Sequence, residues 1–309
     1  MRAFIFPGQG SQAVGMGQAL AAASVAAREL FQEVDEALGQ NLFRLMVEGP
    51  PEDLLLTENA QPAIMANALA TLRVLEGGIR LADKAEYVAG HSLGEYSALC
   101  AAEALGLAAT AKLLRVRGQA MQAAVPVGEG AMAALLGLDF AAAQAIAADA
   151  AENQVCEAAN DNAPGQVVIS GSKAAVERAV ELAKVRGGKR AMILPVSAPF
   201  HCSLMEPAAR VMEQALAKAD LRAPLVPLYA NVTAAPVADP AAIRTLLVDQ
   251  VTGTVRWRES VLAMAAAGVT EFVEFGGKVL GPMVKRIAPD ATATSVVTMS
   301  DIEAFAKTL

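Results

Sequence analysis

The chain has 309 residues, room for two domains of roughly 100–200 residues or for one large α/β domain carrying an insertion. Hydrophobic residues make up 54% and charged residues 18%, a balance that excludes a disordered chain and suits a helix-rich protein with a sizeable core. Lysine and arginine number 25 against 32 acidic residues, and the net charge of −7 excludes a chain-wide basic surface for tracking nucleic-acid phosphates.

Cys100, Cys156 and Cys202 lie far apart and form no C-x-x-C pair, so neither a disulfide framework nor a metal site is expected, and a reducing, cytoplasmic location fits. The first residues are too poor in apolar side chains for a signal segment. No uninterrupted apolar run reaches ~18 residues, so no membrane span is expected.

In chain order, Ala3–Phe6 reads as a short buried strand stopped by Pro7-Gly8, after which Gly8-Gln9-Gly10-Ser11-Gln12 leads into alanine-rich helices. A second strand, Glu86–Ala89, runs into Gly90-His91-Ser92-Leu93-Gly94-Glu95, and the spacing predicts helices over Tyr96–Ala104 and Ala108–Ala124. From Gly130 the pattern changes. A strand (Ala131–Leu136), a helix (Asp139–Asp149), strands at Val155–Ala159 and Val167–Ser170 around the Pro164-Gly165 turn, a helix (Lys173–Arg186) and a strand (Arg190–Pro195) follow. That order, β-α-β-β-α-β, is the ferredoxin-like one, so residues 126–197 read as an inserted subdomain between flanking segments 1–125 and 198–309. The α/β pattern then resumes with helices at Leu204–Lys218 and Ala241–Val248, strands at Val226–Tyr229 and Glu271–Phe275, and a helix at Val279–Ile287.

Gly90-x-Ser92-x-Gly94 fits a nucleophile elbow, a strand-to-helix turn that exposes a serine hydroxyl between small residues. The following helix N-terminus would aim the Leu93 backbone N–H at a developing oxyanion; the plain alternative is that Ser92 merely caps the helix. A nucleophilic serine needs a base, and the chain has two histidines. His91 adjoins Ser92 and should point away from it, supporting the elbow. His201, in the loop after the inserted segment, can reach back to the hydroxyl. No carboxylate declares itself as a third member: Glu95 reads as a helix-start residue, and a backbone carbonyl could equally hold the imidazole. On the helix over Ala108–Ala124, Arg117 shares the apolar face with Leu113 and Met121 whereas Arg115 does not. A buried guanidinium needs an anion, either a structural ion-pair partner or a substrate carboxylate.

Taken together and in order, Pro7-Gly8-Gln9-Gly10-Ser11-Gln12, Gly90-His91-Ser92-Leu93-Gly94-Glu95, Arg117-Gly118-Gln119-Ala120-Met121-Gln122 and Ala198-Pro199-Phe200-His201 resemble the malonyl-CoA:acyl carrier protein transacylases. Further stretches agree, including Thr57–Ala63, Ala159–Gly171 and Val255-Arg256-Trp257, so the resemblance covers nearly the whole chain. It implies an α/β-hydrolase-like large domain with an inserted ferredoxin-like (βαββαβ) subdomain. It implies ping-pong transfer of a malonyl group from malonyl-CoA to the phosphopantetheine thiol of holo acyl carrier protein, with no cofactor. By matching position, Ser92 is the acylated nucleophile, His201 the base and Gln250 the residue whose carbonyl accepts from it. Gln9 and Leu93 supply the oxyanion hole, Arg117 clamps the malonyl carboxylate, Asn160 lines the cleft and Phe200 restricts the acyl pocket. A thioesterase would show the same elbow, and a non-catalytic scaffold would keep the same fold. Phe275-Gly276-Gly277-Lys278-Val279-Leu280 is one residue shorter than the family pattern. Carrier proteins of this family are acidic, so an acidic enzyme must meet them through a local basic patch. Lys184, Arg186, Lys189 and Arg190, four cations in seven residues, form the first candidate and Lys278, Lys285 and Arg286 the second; a solvated helix end explains the former equally well.

Overall fold

The residues Ala3-Phe4-Ile5-Phe6 offer no polar face, and the chain buries both sides of them. The computed structural model describes residues 1–77 and 79–309, and among these ten strands follow in chain order. They are β1 (Arg2–Phe6), β2 (Tyr87–Gly90), β3 (Gly130–Leu136), β4 (Cys156–Ala163), β5 (Gln166–Ser172), β6 (Arg190–Ile193), β7 (Leu228–Ala230), β8 (Ala235–Val237), β9 (Glu271–Phe275) and β10 (Thr292–Val296). Six form one sheet in the order β10-β9-β1-β2-β7-β8, parallel throughout except for β8, which returns antiparallel on β7 at the edge. Side chains alternate across a strand. Phe4 and Phe6 therefore enter the core under helices Val25–Leu38, Thr57–Glu76, Leu107–Ala124 and Glu206–Ala217. Ala3 and Ile5 enter the opposite core with Trp257 and Val261 of helix Trp257–Ala266 and Leu280 and Val284 of helix Leu280–Ile287.

The other four strands form an antiparallel sheet in the order β4-β5-β3-β6, with helices Phe140–Ala151 and Lys173–Val185 on one face. Alternation sorts this sheet too. Ala131, Ala133 and Leu135 of β3 and Val167 and Ile169 of β5 face the two helices, whereas Met132 and Val168 join the main core on the other side. The small sheet thus turns one apolar face toward the large one.

β1 and β2 lie side by side with Phe6 opposite Gly90, so the loops that leave their carboxyl ends, starting at Pro7 and His91, emerge together. Ligands in parallel α/β sheets bind at such adjacent strand ends. Among the described residues no helix is long and apolar enough to cross a membrane.

The element boundaries differ from the sequence expectation in informative ways. The expected strand Arg190–Pro195 stops at Ile193, because Pro195 has no N–H for the ladder. Sequence reading missed β8, β10 and the helices Trp257–Ala266 and Met299–Ala306. β8 and β10 are short edge strands, weak in apolar alternation, and exist because β7 and β9 offer them partners. Trp257, Val261 and Met264 do follow helical spacing, so that signal was present in the sequence. The short loop at Gly276-Gly277 is tightly packed: Gly276 has φ +74, a Cβ on it would lie 2.5 Å from Ala68 Cα, and one on Gly277 would lie 2.8 Å from Pro7 Cγ.

The two glycines of the elbow are required by close approach. A Cβ on Gly90 would stand 1.9 Å from the carbonyl carbon of Gly94, and one on Gly94 would stand 2.3 Å from the Phe6 carbonyl oxygen. Backbone on both sides cannot give way as a flexible side chain could. Gly90→Ala is expected to lower the unfolding free energy by more than about 3 kcal/mol, read as a drop in the urea midpoint against wild type.

Candidate active site

Ser92 sits between β2 and the helix Gly94–Ala101 with φ 53°, a left-handed conformation that costs a non-glycine residue of order 1–3 kcal/mol unless its surroundings hold it. Asn231 holds it. Its Oδ1 accepts from the Ser92 backbone N–H at 2.8 Å, and its Nδ2 donates to the Gly90 carbonyl at 2.7 Å. Asn231 follows β7, the neighbour of β2 in the sheet, so the topology supplies this brace.

His201 Nε2 lies 2.7 Å from Ser92 Oγ, and Nδ1 lies 2.8 Å from the backbone carbonyl oxygen of Gln250. A carbonyl only accepts, so Nδ1 carries the proton and Nε2 is left as the acceptor for the serine hydroxyl. Gln250 stands in the last turn of helix Pro240–Thr252, where carbonyls have no intrahelical partner, which frees its oxygen for the imidazole. The third group against the histidine is therefore a main-chain carbonyl, and Glu95 does not touch the ring.

Arg117 is 1% exposed and faces the same point. Nη2 donates to Ser92 Oγ at 3.1 Å and to Gln250 Oε1 at 2.8 Å, and Nη1 donates to Gln61 Oε1 at 2.8 Å. Its Nε has no partner, and among the described residues no carboxylate lies within ion-pair distance of it. The guanidinium also stands over the Tyr96 ring, 5.8 Å from its centre. Burial pulls the proton affinity of Arg117 down, and the nearby Glu95 and Tyr96 partly offset this. Gly118 makes the buried position reachable, since a Cβ there would stand 2.5 Å from Glu58 Cα on the packed helix.

Ser92, His201 and Arg117 open into a cavity of about 410 Å³, whose wall also includes Gln9, Leu93, Asn160 and Phe200. Among the described residues neither the Gln9 nor the Leu93 backbone N–H is taken by an acceptor of the chain. Asn160 comes from β4 and is buried; Phe200 adjoins the histidine. Met132 and Val168, from the inner face of the small sheet, close the other side. All eight of the residues singled out from the sequence thus meet at one place, with Gln250 behind the wall.

The basic residues are dispersed. Lys184 pairs with Glu181 and Arg186 with Asp149, each at 2.6 Å, whereas Lys189 and Arg190 are exposed at the start of β6, the strand whose other end leads to Leu194 on the cavity wall. Lys278 and Lys285 are exposed beside Val279 and Met283 of the wall, and Arg286 donates to Gln166 Oε1 and the Pro164 carbonyl.

Sequence reasoning missed Asn231 and the part played by Gln61. Gln61 lies inside the quoted Thr57–Ala63 stretch, but nothing in its local pattern marks it as a partner of Arg117. His91 was expected to point away from the serine; its Nε2 meets Asn162 Oδ1 at 2.8 Å, and its ring packs near Trp257 while still forming part of the cavity wall.

Burial, then the positive charge of Arg117, pushes the His201 pKa down to about 3, so the imidazole is neutral at physiological pH. The unfolded chain would bind that proton near pH 6.5, so the stability that this histidine contributes is complete above about pH 6.5 and declines as the pH falls toward 3. Removing the guanidinium must raise the histidine. In Arg117→Ala the His201 ring is expected to titrate at higher pH than in wild type, followed by imidazole NMR shifts.

A serine hydroxyl between an imidazole and a buried guanidinium, on a parallel α/β sheet, is an arrangement suited to carrying acyl groups. A family model described as "Acyl transferase domain" matches residues 3–277. A malonyl CoA-acyl carrier protein transacylase of Escherichia coli strain K12 is 47% identical over 297 residues, 95% of each chain. The crystal structure of an acyl-carrier-protein-S-malonyltransferase from Bartonella henselae superimposes with a TM-score of 0.97 at 53% identity, covering 99% of this chain and 98% of that one. A malonyl-transacylase solved in complex with a type II PKS acyl-carrier protein gives a TM-score of 0.96 at 39% identity, covering 100% and 99%. The class is that of the acyl transferases. Within it, the chain belongs to the family of malonyl CoA-acyl carrier protein transacylases.

Proposed function

We propose a malonyl-CoA:acyl carrier protein transacylase of fatty-acid synthesis in which Ser92 carries the malonyl group between the two thiols. His201 Nε2 takes the Ser92 proton as Oγ attacks the thioester carbonyl of malonyl-CoA. The oxyanion is met by the backbone N–H groups of Gln9 and Leu93. The C–S bond breaks, the imidazolium returns its proton to sulfur, and CoA leaves a malonyl ester on Ser92. The phosphopantetheine thiol of the carrier protein then gives its proton to His201, attacks the ester carbonyl and restores the serine. The Gln250 carbonyl holds the imidazole in the required tautomer throughout.

One observation carries this reading: the buried, carboxylate-free guanidinium of Arg117 touches the nucleophile itself. Malonyl places its carboxylate one methylene from the reacting carbonyl, so a cation at that position can hold the distal carboxylate while the serine attacks. Asn160 and Phe200 shape the rest of the acyl pocket, with Phe200 restricting bulk beside the base.

The scaffold is proposed as an α/β-hydrolase-like domain, 1–125 and 198–309, with a ferredoxin-like subdomain at 126–197. The separate apolar core between the small sheet and its two helices, and the 4-1-3-2 order of its strands counted within that sheet, support this division.

Intact mass after mixing with malonyl-CoA tests the chemistry. Wild type should gain one malonyl group and lose it to holo carrier protein, and Ser92→Ala should gain none. Steady release of CoA in buffer without an acceptor would mark a thioesterase instead. Arg117→Ala should lose about 10–100-fold more of its acylation rate with malonyl-CoA than with acetyl-CoA, because only malonyl leaves a carboxylate stranded. Equal losses would make Arg117 a structural cation.

For the carrier protein, Lys184, Arg186, Lys189 and Arg190 are proposed as the docking patch, with Lys189 and Arg190 the working pair because the other two are already matched by carboxylates. Lys189→Glu with Arg190→Glu should raise the apparent KM for carrier protein, most at low salt, and leave acylation by malonyl-CoA unchanged. An unchanged KM moves the surface to Lys278, Lys285 and Arg286.

A further inference from the structure

Glu95 is 2% exposed, makes no ion pair with Arg117 and does not touch His201, yet both its oxygens face donors. Oε1 accepts from the Asn231 backbone N–H at 2.6 Å, and Oε2 accepts from Gln250 Nε2. Those two neighbours between them contact Ser92, His201 and Arg117. Asn231 braces the elbow through Ser92 N–H and Gly90 carbonyl. Gln250 meets His201 with its main-chain oxygen and Arg117 with its side-chain oxygen, and its Nε2 also donates to the Ser92 carbonyl at 2.9 Å. We propose that Glu95 is a positioning residue for acyl transfer, acting through Gln250 and Asn231 to set elbow, base and guanidinium in one geometry.

Hydrogen-bond polarity links Glu95, Gln250 and Arg117. Both Glu95 oxygens face N–H donors and so accept, a guanidinium only donates, and the Gln250 amide lies between them. Its amide nitrogen must face Glu95 and its oxygen must face Arg117. Turning the amide over would set Nε2 against the guanidinium and Oε1 against the Ser92 carbonyl, two repulsive pairs. Glu95 adds a third contact, beside Arg117 and the Ser92 carbonyl, that selects this orientation of the amide. Burial outweighs these donors and the nearby Arg117 charge, and raises the Glu95 pKa to about 8. In this arrangement the carboxylate that a serine triad would place on the imidazole is set back by one residue, with Gln250 in between.

This inference rests on the proposed roles of Ser92, His201 and Arg117. Glu95→Gln keeps the shape and the acceptor for Asn231 but puts an amide nitrogen against Gln250 Nε2, donor to donor. The test is the acylation half-reaction with malonyl-CoA and acetyl-CoA, each rate expressed per acylatable serine counted by intact mass. The expected result is a maximal rate reduced about 10–100-fold with both thioesters, from misplacement of the base, together with a raised half-saturating concentration for malonyl-CoA alone. Glu95→Asp retains the acceptors one methylene short and should fall between the two. Wild-type rates and half-saturation per active serine in Glu95→Gln, whatever its melting temperature, would make Glu95 a buried structural group and overturn the proposal. If Glu95→Gln does not fold, the same readings on Glu95→Asp decide it. A malonyl adduct on Ser92→Ala would instead remove the site reading on which this one stands, so the two failures are distinct.

Discussion

A guanidinium buried without a carboxylate partner is the constraint around which this site is arranged. Taking Arg117 out of water carries a desolvation cost of several kcal/mol, and three neutral hydrogen bonds and an aromatic face offset only part of it. What remains is an electrostatic preference for an anion beside Ser92. Burial, reinforced by the same charge, depresses His201, so the imidazole stays unprotonated well below neutral pH. The proposed selectivity for a carboxylate-bearing acyl group and part of the depression of His201 thus trace to the same charge. A carboxylate at the guanidinium would also offset the repulsion between Arg117 and a protonated His201.

Holding such a charge against a nucleophile requires a backbone that cannot drift. Ser92 and His201 both have positive φ, an unfavourable choice at two adjoining functional positions. The strain is maintained by contacts from several distant segments: Gly94 against Phe6, Asn231 against Ser92, and the end of helix Pro240–Thr252 against His201. Each contact comes from a different sheet neighbour or helix end. The site is accordingly a property of the whole large sheet and its covering helices.

The small antiparallel sheet has a different task. Its helix-facing side closes a separate core, while Met132, Asn160 and Val168 turn toward the cavity and Asn160 bridges to Val255 of the large unit. Glu157 accepts from both the N–H and the hydroxyl of Ser203, just beyond the histidine, at 3.0 and 2.6 Å. The sheet that supplies one wall of the cavity is thus fastened to the His201 loop.

Local sequence determined the parts of this protein whose causes are local. An apolar run cut by Pro7-Gly8, two glycines flanking a serine after a strand, and β-α-β-β-α-β spacing each follow from backbone sterics and side-chain periodicity, and they placed eight of the ten strands and the elbow within a few residues. The presence of two histidines, together with the burial of Arg117 implied by its spacing from Leu113 and Met121, narrowed the candidate chemistry. The family motifs then named Gln9, Asn160, Phe200 and Gln250, which no local pattern marks, and agreed with the elbow on Leu93. Only the tertiary structure decided that Glu95 faces Gln250 rather than the histidine, that Asn231 braces the elbow, and that Arg117 finds Gln61 and Gln250 instead of a carboxylate. These are hydrogen bonds between residues up to 155 positions apart. Which donor meets which acceptor at that separation depends on the crossing of strands and helices, and no periodicity within a short window encodes it.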